Sequence, residues 1–299
     1  MQIAFIGDSH VQYFSYGLKK HLYKPNQGST LMVSAATCYG LHNANSKTKA
    51  SEKINSYVET LTKDTRLFFQ LGEVDCGILI WLKAQAEKTP PDQQAEAHVK
   101  MYIDFLNQLR DRGHHSISVT SATLPTINDM DHVGEVVTTR RSKVNASFRE
   151  RTDLTLHFNN ILAEACEAEG LGFISADESF LDPNAGLVGS IFRNKRRGDH
   201  HMDNQRASVV WAGLINESTD TPAAPETTMF ASEDTYLKKF ALPSKALPPE
   251  FLFRVRKGDE ISTHPIEDVR GHRVARGTSV NGEDIGSEYQ FLWPNHFRN

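Results

Sequence analysis

The sequence predicts an α/β fold, a parallel sheet with helices on both faces followed by a proline-rich C-terminal extension. Three observations support it. Short β-branched or aromatic runs alternate with helix-period segments from residue 2 to about 215. The strand candidates are apolar almost throughout, as suits strands covered on both faces. Seven of the 12 prolines lie after residue 219, where no comparable amphipathic helix follows.

Five strands are predicted: Ile3 to Ile6, Leu31 to Ala35, Leu67 to Leu71, Ile117 to Ser121 and Gly172 to Ser175. Between them, Val11, Phe14, Leu18 and Leu22 form one helical stripe and Val99, Tyr102, Leu106 and Leu109 another, which ends at Gly113. Leu154, Phe158, Ile161, Leu162 and Ala165 form a third, with Thr152 or Asp153 as N-cap and Gly170 as stop. A further helix is expected from Asn204 to Leu214. These stripes are core and carry no chemistry. A boundary near Ser218 to Glu226 separates a domain of residues 1–217 from an extension or small accessory region, 218–299, in which Phe251 to Arg256 and Tyr289 to Trp293 are strand candidates.

Composition narrows the function classes. The 299 residues are 39% hydrophobic and 23% charged with a net charge of −4, an ordinary globular balance that excludes disorder as the default. A mildly acidic chain offers no broad basic face, so no nucleic-acid partner is expected. No apolar run is long enough to span a bilayer, and Met1 leads straight into a strand, so a cytoplasmic protein without membrane association is expected. Cys38, Cys76 and Cys166 stand singly, and neither a disulfide framework nor a zinc pair follows from their spacing.

The chemistry concentrates at the ends of the predicted strands. Ile3-Ala4-Phe5-Ile6-Gly7-Asp8-Ser9-His10 runs from a buried strand through Gly-Asp-Ser into a helix. Ser9 therefore stands at the carboxyl end of the first strand, where open α/β sheets bind ligands and a helix start offers N–H groups to an anion. Serine is a weak nucleophile without a base, so a histidine must serve it from elsewhere; the bland alternative is a helix cap.

At this point the sequence resembles the SGNH hydrolase family, the GDSL-type esterases, over about residues 1–215. The resemblance implies a three-layer, flavodoxin-like α/β/α sandwich with five parallel strands, Ser9 as nucleophile, and the Ser9 N–H in the oxyanion hole. It places Gly40, in the loop after the second strand, as a second oxyanion donor. The third block is normally Gly-x-Asn-Asp, and here it reads Gly72-Glu73-Val74-Asp75, so valine replaces the asparagine donor. Loss of such a donor costs about 2.7 to 4 kcal/mol of transition-state stabilisation. Asn43 or Asn45 is a candidate substitute, Glu73 a candidate for a substrate hydroxyl, and Asp75 a candidate for holding loop backbone.

The family's last block, Asp-x-x-His before a C-terminal helix, corresponds to Gly198-Asp199-His200-His201-Met202-Asp203 with altered spacing. His201 is the expected base, His200 the alternative, and Asp199 the group that orients the imidazole. Adjacent loop histidines without a distant ligand pair do not make a recognisable metal set, and no cofactor is implied. The polar segment from Leu124 to Arg151, with Asp129, Asp131, His132, Arg140, Arg141, Lys143 and Arg149, is a candidate substrate wall. Lys195-Arg196-Arg197 is a candidate for attracting an acidic substrate. Three functions follow: an esterase removing a small acyl group, acetyl above all, from a small-molecule or carbohydrate ester; an acyltransferase to a sugar hydroxyl; or a non-catalytic glycan-binding domain.

Overall fold

The computed structural model describes residues 2–23, 28–43, 45–129, 143–196, 198–218, 227–239, 244–247, 249–269, 272–285, 289 and 291–298. The chain forms two compact units, one of Met1–Leu18 and Pro25–Ser208, the other of Lys19–Lys24 and Val209–Asn299.

The first unit is a three-layer α/β/α sandwich. Its strands are β1 (Ile3–Gly7), β2 (Gly28–Met32), β3 (Arg66–Gln70), β4 (Ile117–Thr120) and β5 (Gly172–Ile174), all parallel in the order β2-β1-β3-β4-β5. β1 and β3 lie in the interior of the sheet, and residues 3–7 are buried throughout, which explains their unbroken apolar character. The unit's longer helices are α1 (Gln12–Lys19), α2 (Ala50–Glu59), α3 (Ile80–Glu87), α4 (Pro91–Asp111), α5 (Phe148–Ala168) and the start of α6 (Asn204–Ser218), whose residues 209–218 belong to the second unit. A core cluster joins sheet residues such as Ile6, Phe69 and Val119 to Ile54, Leu106 and Phe158 of the helices.

The bounds of β2 and the start of α5 differ from those expected by three residues or more. β2 starts at Gly28 and stops at Met32, because Met32 pairs with Gly7, the last residue of β1, and Ala35 turns the chain away with a φ of 58°. α5 starts five residues before Asp153, at Phe148. Its N-cap is Ser147, which forms a reciprocal capping box with Glu150; Thr152 lies inside the helix and bonds the Phe148 carbonyl. α2 and α3 are additional to the predicted helices.

The region after residue 218 is also more regular than expected. Eight strands, from β6 (Thr227–Ala231) to β13 (Phe297–Arg298), form an antiparallel sheet built around the long pair β9 (Glu260–Val269) and β10 (His272–Val280). Met229, Leu237, Val255, Ile261, Val280 and Leu292 form its core. Pro265 lies within β9, next to a register shift, a place where a strand tolerates a missing N–H. Among the described residues no helix is long and apolar enough to cross a membrane.

The strand-to-turn junction at Gly7 sets the position of everything that follows. A β-carbon there would lie 1.9 Å from the Gln70 carbonyl oxygen and 2.8 Å from Val11, so only glycine lets the ends of β1 and β3 approach. Gly7→Ala is expected to lower stability by about 2 kcal/mol or more, read as a fall in the urea midpoint at unchanged slope; an unchanged midpoint would show that the junction yields freely.

Candidate active site

Ser9 leaves β1 as the first residue of a short 3-10 turn, Ser9–Val11, that leads into α1. Its N–H is therefore among the donors that a helix start leaves without an intrahelical partner. His201 comes from the loop before α6. Its Nε2 lies 2.9 Å from Ser9 Oγ, and its Nδ1 lies 2.7 Å from Asp199 Oδ1. With the carboxylate accepting a hydrogen bond from Nδ1–H, Nε2 is left bare toward the hydroxyl, the tautomer in which histidine accepts a proton from serine.

The short spacing between Asp199 and His201 is accommodated by a turn that the aspartate itself closes. Asp199 Oδ1 accepts the His201 backbone N–H at 3.0 Å as well as Nδ1, so one oxygen fixes both the main chain and the ring. Burial raises the Asp199 pKa, and the two bonds from His201 outweigh it and hold the carboxyl below its usual range. His201 is shifted down by burial and by the charge of His10, against the pull of Asp199. The imidazole is thus neutral at neutral pH.

A second Asp-x-His turn with the same bonding stands beside it. Asp8 Oδ1 accepts both the His10 backbone N–H at 2.8 Å and His10 Nδ1 at 2.9 Å. His10 is 1% exposed, and its ring centroid lies 4.9 Å from that of His201 and 5.4 Å from that of His200. Burial disfavours a charge on His10, but Asp8, Glu73 and the His200 backbone overcome it and push its pKa up to about 9. Sequence reasoning missed His10; the signal was available in the shared Asp-x-His spacing of Asp8-Ser9-His10 and Asp199-His200-His201.

His10, His200 and His201 bring one ring nitrogen each within 4.8 Å of one another, a density at which a metal ion deserves a test of fit. A cation would have to displace the Ser9 hydroxyl from His201 Nε2, which it meets at 2.9 Å. The cluster fits proton chemistry better than metal binding.

Opposite this pair, the loop after β2 is anchored by Asp75. One buried carboxylate accepts the Cys38 N–H at 2.9 Å, the Tyr39 N–H at 3.4 Å and His98 Nδ1 at 2.7 Å. Asp75 opens a π-helical turn, Asp75–Leu79, that continues into α3, and His98 lies on α4, so three elements converge on the loop. Gly72, at a φ of 121°, turns the chain off β3, where a β-carbon would meet Ala122 at 2.7 Å and Phe158 at 2.9 Å. Glu73 is 4% exposed, and its charge acts on both His10 and His201.

Two expected oxyanion donors are otherwise engaged. The Gly40 N–H donates to Thr37 Oγ1 at 2.9 Å, so Thr37 must release it before it can serve a substrate oxygen. Asn43 is exposed and its side chain accepts the Asn45 N–H at 3.0 Å, a local turn in place of a substrate contact. The segment from Leu124 to Arg151 is partly built into the fold. Asp129 accepts the Phe148 N–H and pairs with Arg151, while Arg149 bonds the Ala185 and Gly186 carbonyls. Asp131, His132, Arg140, Arg141 and Arg197 lie outside the described residues. Lys143, Lys195 and Arg196 are exposed.

No protein-family model matches the chain, and no curated protein does. Among solved structures it is similar to a protein of Bacteroides fragilis described as an acylhydrolase, at 13% identity and a TM-score of 0.49 over 73% of this chain and 85% of that one. A GDSL-like lipase from Bacteroides thetaiotaomicron matches at 12% identity and a TM-score of 0.45 over 73% and 86%. A carbohydrate acetylesterase from Sinorhizobium meliloti matches at 9% and 0.45 over 73% and 97%. The chemistry of this chain is argued from its own side chains.

Asp75→Ala leaves two loop N–H groups and a buried imidazole without their acceptor. It is expected to destabilise the protein by about 3 kcal/mol, measured by chemical denaturation; a loss below about 1 kcal/mol would show that the loop finds other partners.

Proposed function

We propose that the protein is a serine ester hydrolase that works through an acyl-enzyme on Ser9. The observation that carries this reading is the continuous bond chain from Ser9 Oγ to His201 Nε2 and from His201 Nδ1 to Asp199. Each member needs the next: the hydroxyl needs a base, the base needs its tautomer fixed, and the carboxylate does the fixing.

In the reaction, His201 Nε2 takes the Ser9 proton as Oγ attacks the ester carbonyl, and the carbonyl π electrons move onto its oxygen. The Ser9 N–H receives that oxyanion, joined by the Gly40 N–H once Thr37 Oγ1 has turned away. The intermediate collapses by breaking the bond to the alcohol, which leaves with the proton from His201. Water, deprotonated by the same imidazole, then cleaves the acyl-serine and restores Ser9. Val74 contributes no donor, so this hole rests on backbone N–H groups. The substrate class to assay first is a short acyl ester, acetyl in particular, of a carbohydrate.

Intact-mass labelling with a fluorophosphonate is expected to add one adduct to the wild type and none to Ser9→Ala or His201→Ala. Hydrolysis of an activated acetyl ester should fall by about 10⁴-fold in Ser9→Ala. Full labelling of Ser9→Ala would overturn the assignment.

The pH dependence follows from the lowered His201 pKa. Only the neutral imidazole accepts a proton, so kcat/KM should be at its plateau above the pKa and fall as pH drops through it, with a midpoint below the ordinary histidine value of 6.5. A midpoint above 6.5 would contradict the site electrostatics.

A further inference from the structure

We infer that His10, His200 and His201 form an inhibitory transition-metal site, at which a zinc ion stops the hydrolysis by taking His201 Nε2 away from Ser9. The inference concerns the regulation of the proposed catalytic site and rests on that reading. Its basis is geometric: one ring nitrogen from each of the three histidines lies within 4.8 Å of the other two. Neighbouring loop histidines ordinarily diverge, but beyond Asp199 the His200 and His201 rings stand 3.9 Å apart. His10 meets them from the turn after β1, at 5.4 and 4.9 Å between ring centroids.

The rings are also prepared for a metal. In His10 and in His201 an aspartate holds Nδ1, at 2.9 and 2.7 Å. A carboxylate on one ring nitrogen is the arrangement that orients an imidazole to coordinate through the other. On His10 that other nitrogen, Nε2, is buried, and no described residue gives it a hydrogen-bond partner. On His201 it is the atom that meets Ser9 Oγ at 2.9 Å. The His200 carbonyl accepts the Thr126 hydroxyl at 2.7 Å, which ties the backbone of the third ring to the loop after β4.

Imidazole nitrogens suit zinc, and three of them leave a fourth position for an exchangeable ligand. Zinc–nitrogen bonds of about 2.0–2.1 Å put tetrahedral ligand atoms about 3.4 Å apart, so the rings need close by at most about 1.4 Å. Asp8 and Asp199 bring negative charge to the rings, which favours a dication. Zinc replaces any proton these nitrogens carry, and at His201 it replaces the Ser9 hydroxyl. Proton transfer from serine and zinc binding use the same lone pair, so each excludes the other.

The test uses the full-length protein, stripped of metal with a chelator, and zinc chloride alone. Calorimetric titration should show one zinc ion bound at the histidines. Hydrolysis of an activated acetyl ester should fall at least tenfold at saturating zinc and return on addition of EDTA. His10→Gln and His200→Gln should each weaken zinc binding at least tenfold, and Ser9→Ala, which removes the competing hydroxyl, should bind zinc no more weakly than wild type. His200 is half-buried and keeps the test available where a change at buried His10 prevents folding. Zinc binding unchanged in folded His200→Gln, or full hydrolysis by the zinc-saturated wild type, would overturn the proposal. Zinc held by the three histidines of a protein that neither labels nor hydrolyses would uphold the metal site and remove the hydrolase reading instead.

Discussion

The hydrogen bond between Ser9 Oγ and His201 Nε2 is the contact on which the functional reading depends, and it joins residues 192 positions apart. Neither partner reaches the other by local structure. Ser9 is placed by the end of β1, where Gly7 permits contact with the β3 backbone, and His201 is placed by a loop that Asp199 stiffens by accepting two hydrogen bonds at one oxygen. A parallel sheet delivers both to one end because its strand termini gather there. The bond is therefore a product of the whole α/β unit.

Around that contact the protein uses carboxylates as fixing devices. Asp199 fixes the base, Asp8 fixes the ring beside the nucleophile, and Asp75 fixes the loop opposite. In each case a buried or half-buried carboxylate accepts both a backbone N–H and an imidazole, so main chain and side chain are set together. Such groups are costly to bury and are stable only when each is fully partnered. Removing one releases a loop and a ring at once, which makes these positions expensive to change.

The sequence exposed the architecture where burial leaves a simple pattern. β1 and β3 are interior strands and read as apolar runs; α4 and α5 carried stripes strong enough to be found. β2 is at the edge, half exposed, and its apolar residues continue past the strand into the turn at Ala35, so its bounds slipped by three residues. In the C-terminal sheet only the strands near Phe251 to Arg256 and Tyr289 to Trp293 were legible, because several of the others run only two to five residues and β6 alternates exposed and buried positions. At the site, the Gly-Asp-Ser turn and the histidine before α6 were legible from position alone. His10 was missed although the repeated Asp-x-His spacing pointed to it, its packing against the His201 ring being visible only in the fold, and Thr37 was missed because nothing in a loop threonine three residues before Gly40 shows that its hydroxyl occupies the Gly40 N–H.

The central claim is that Ser9 is the atom that bonds to an electrophile. A crystal structure of the protein after reaction with a fluorophosphonate tests it most directly. The account predicts phosphorus bonded to Ser9 Oγ, a phosphonyl oxygen accepting the Ser9 N–H, and His201 Nε2 beside the adduct. Phosphorus on any other residue, with Ser9 unmodified, would contradict it.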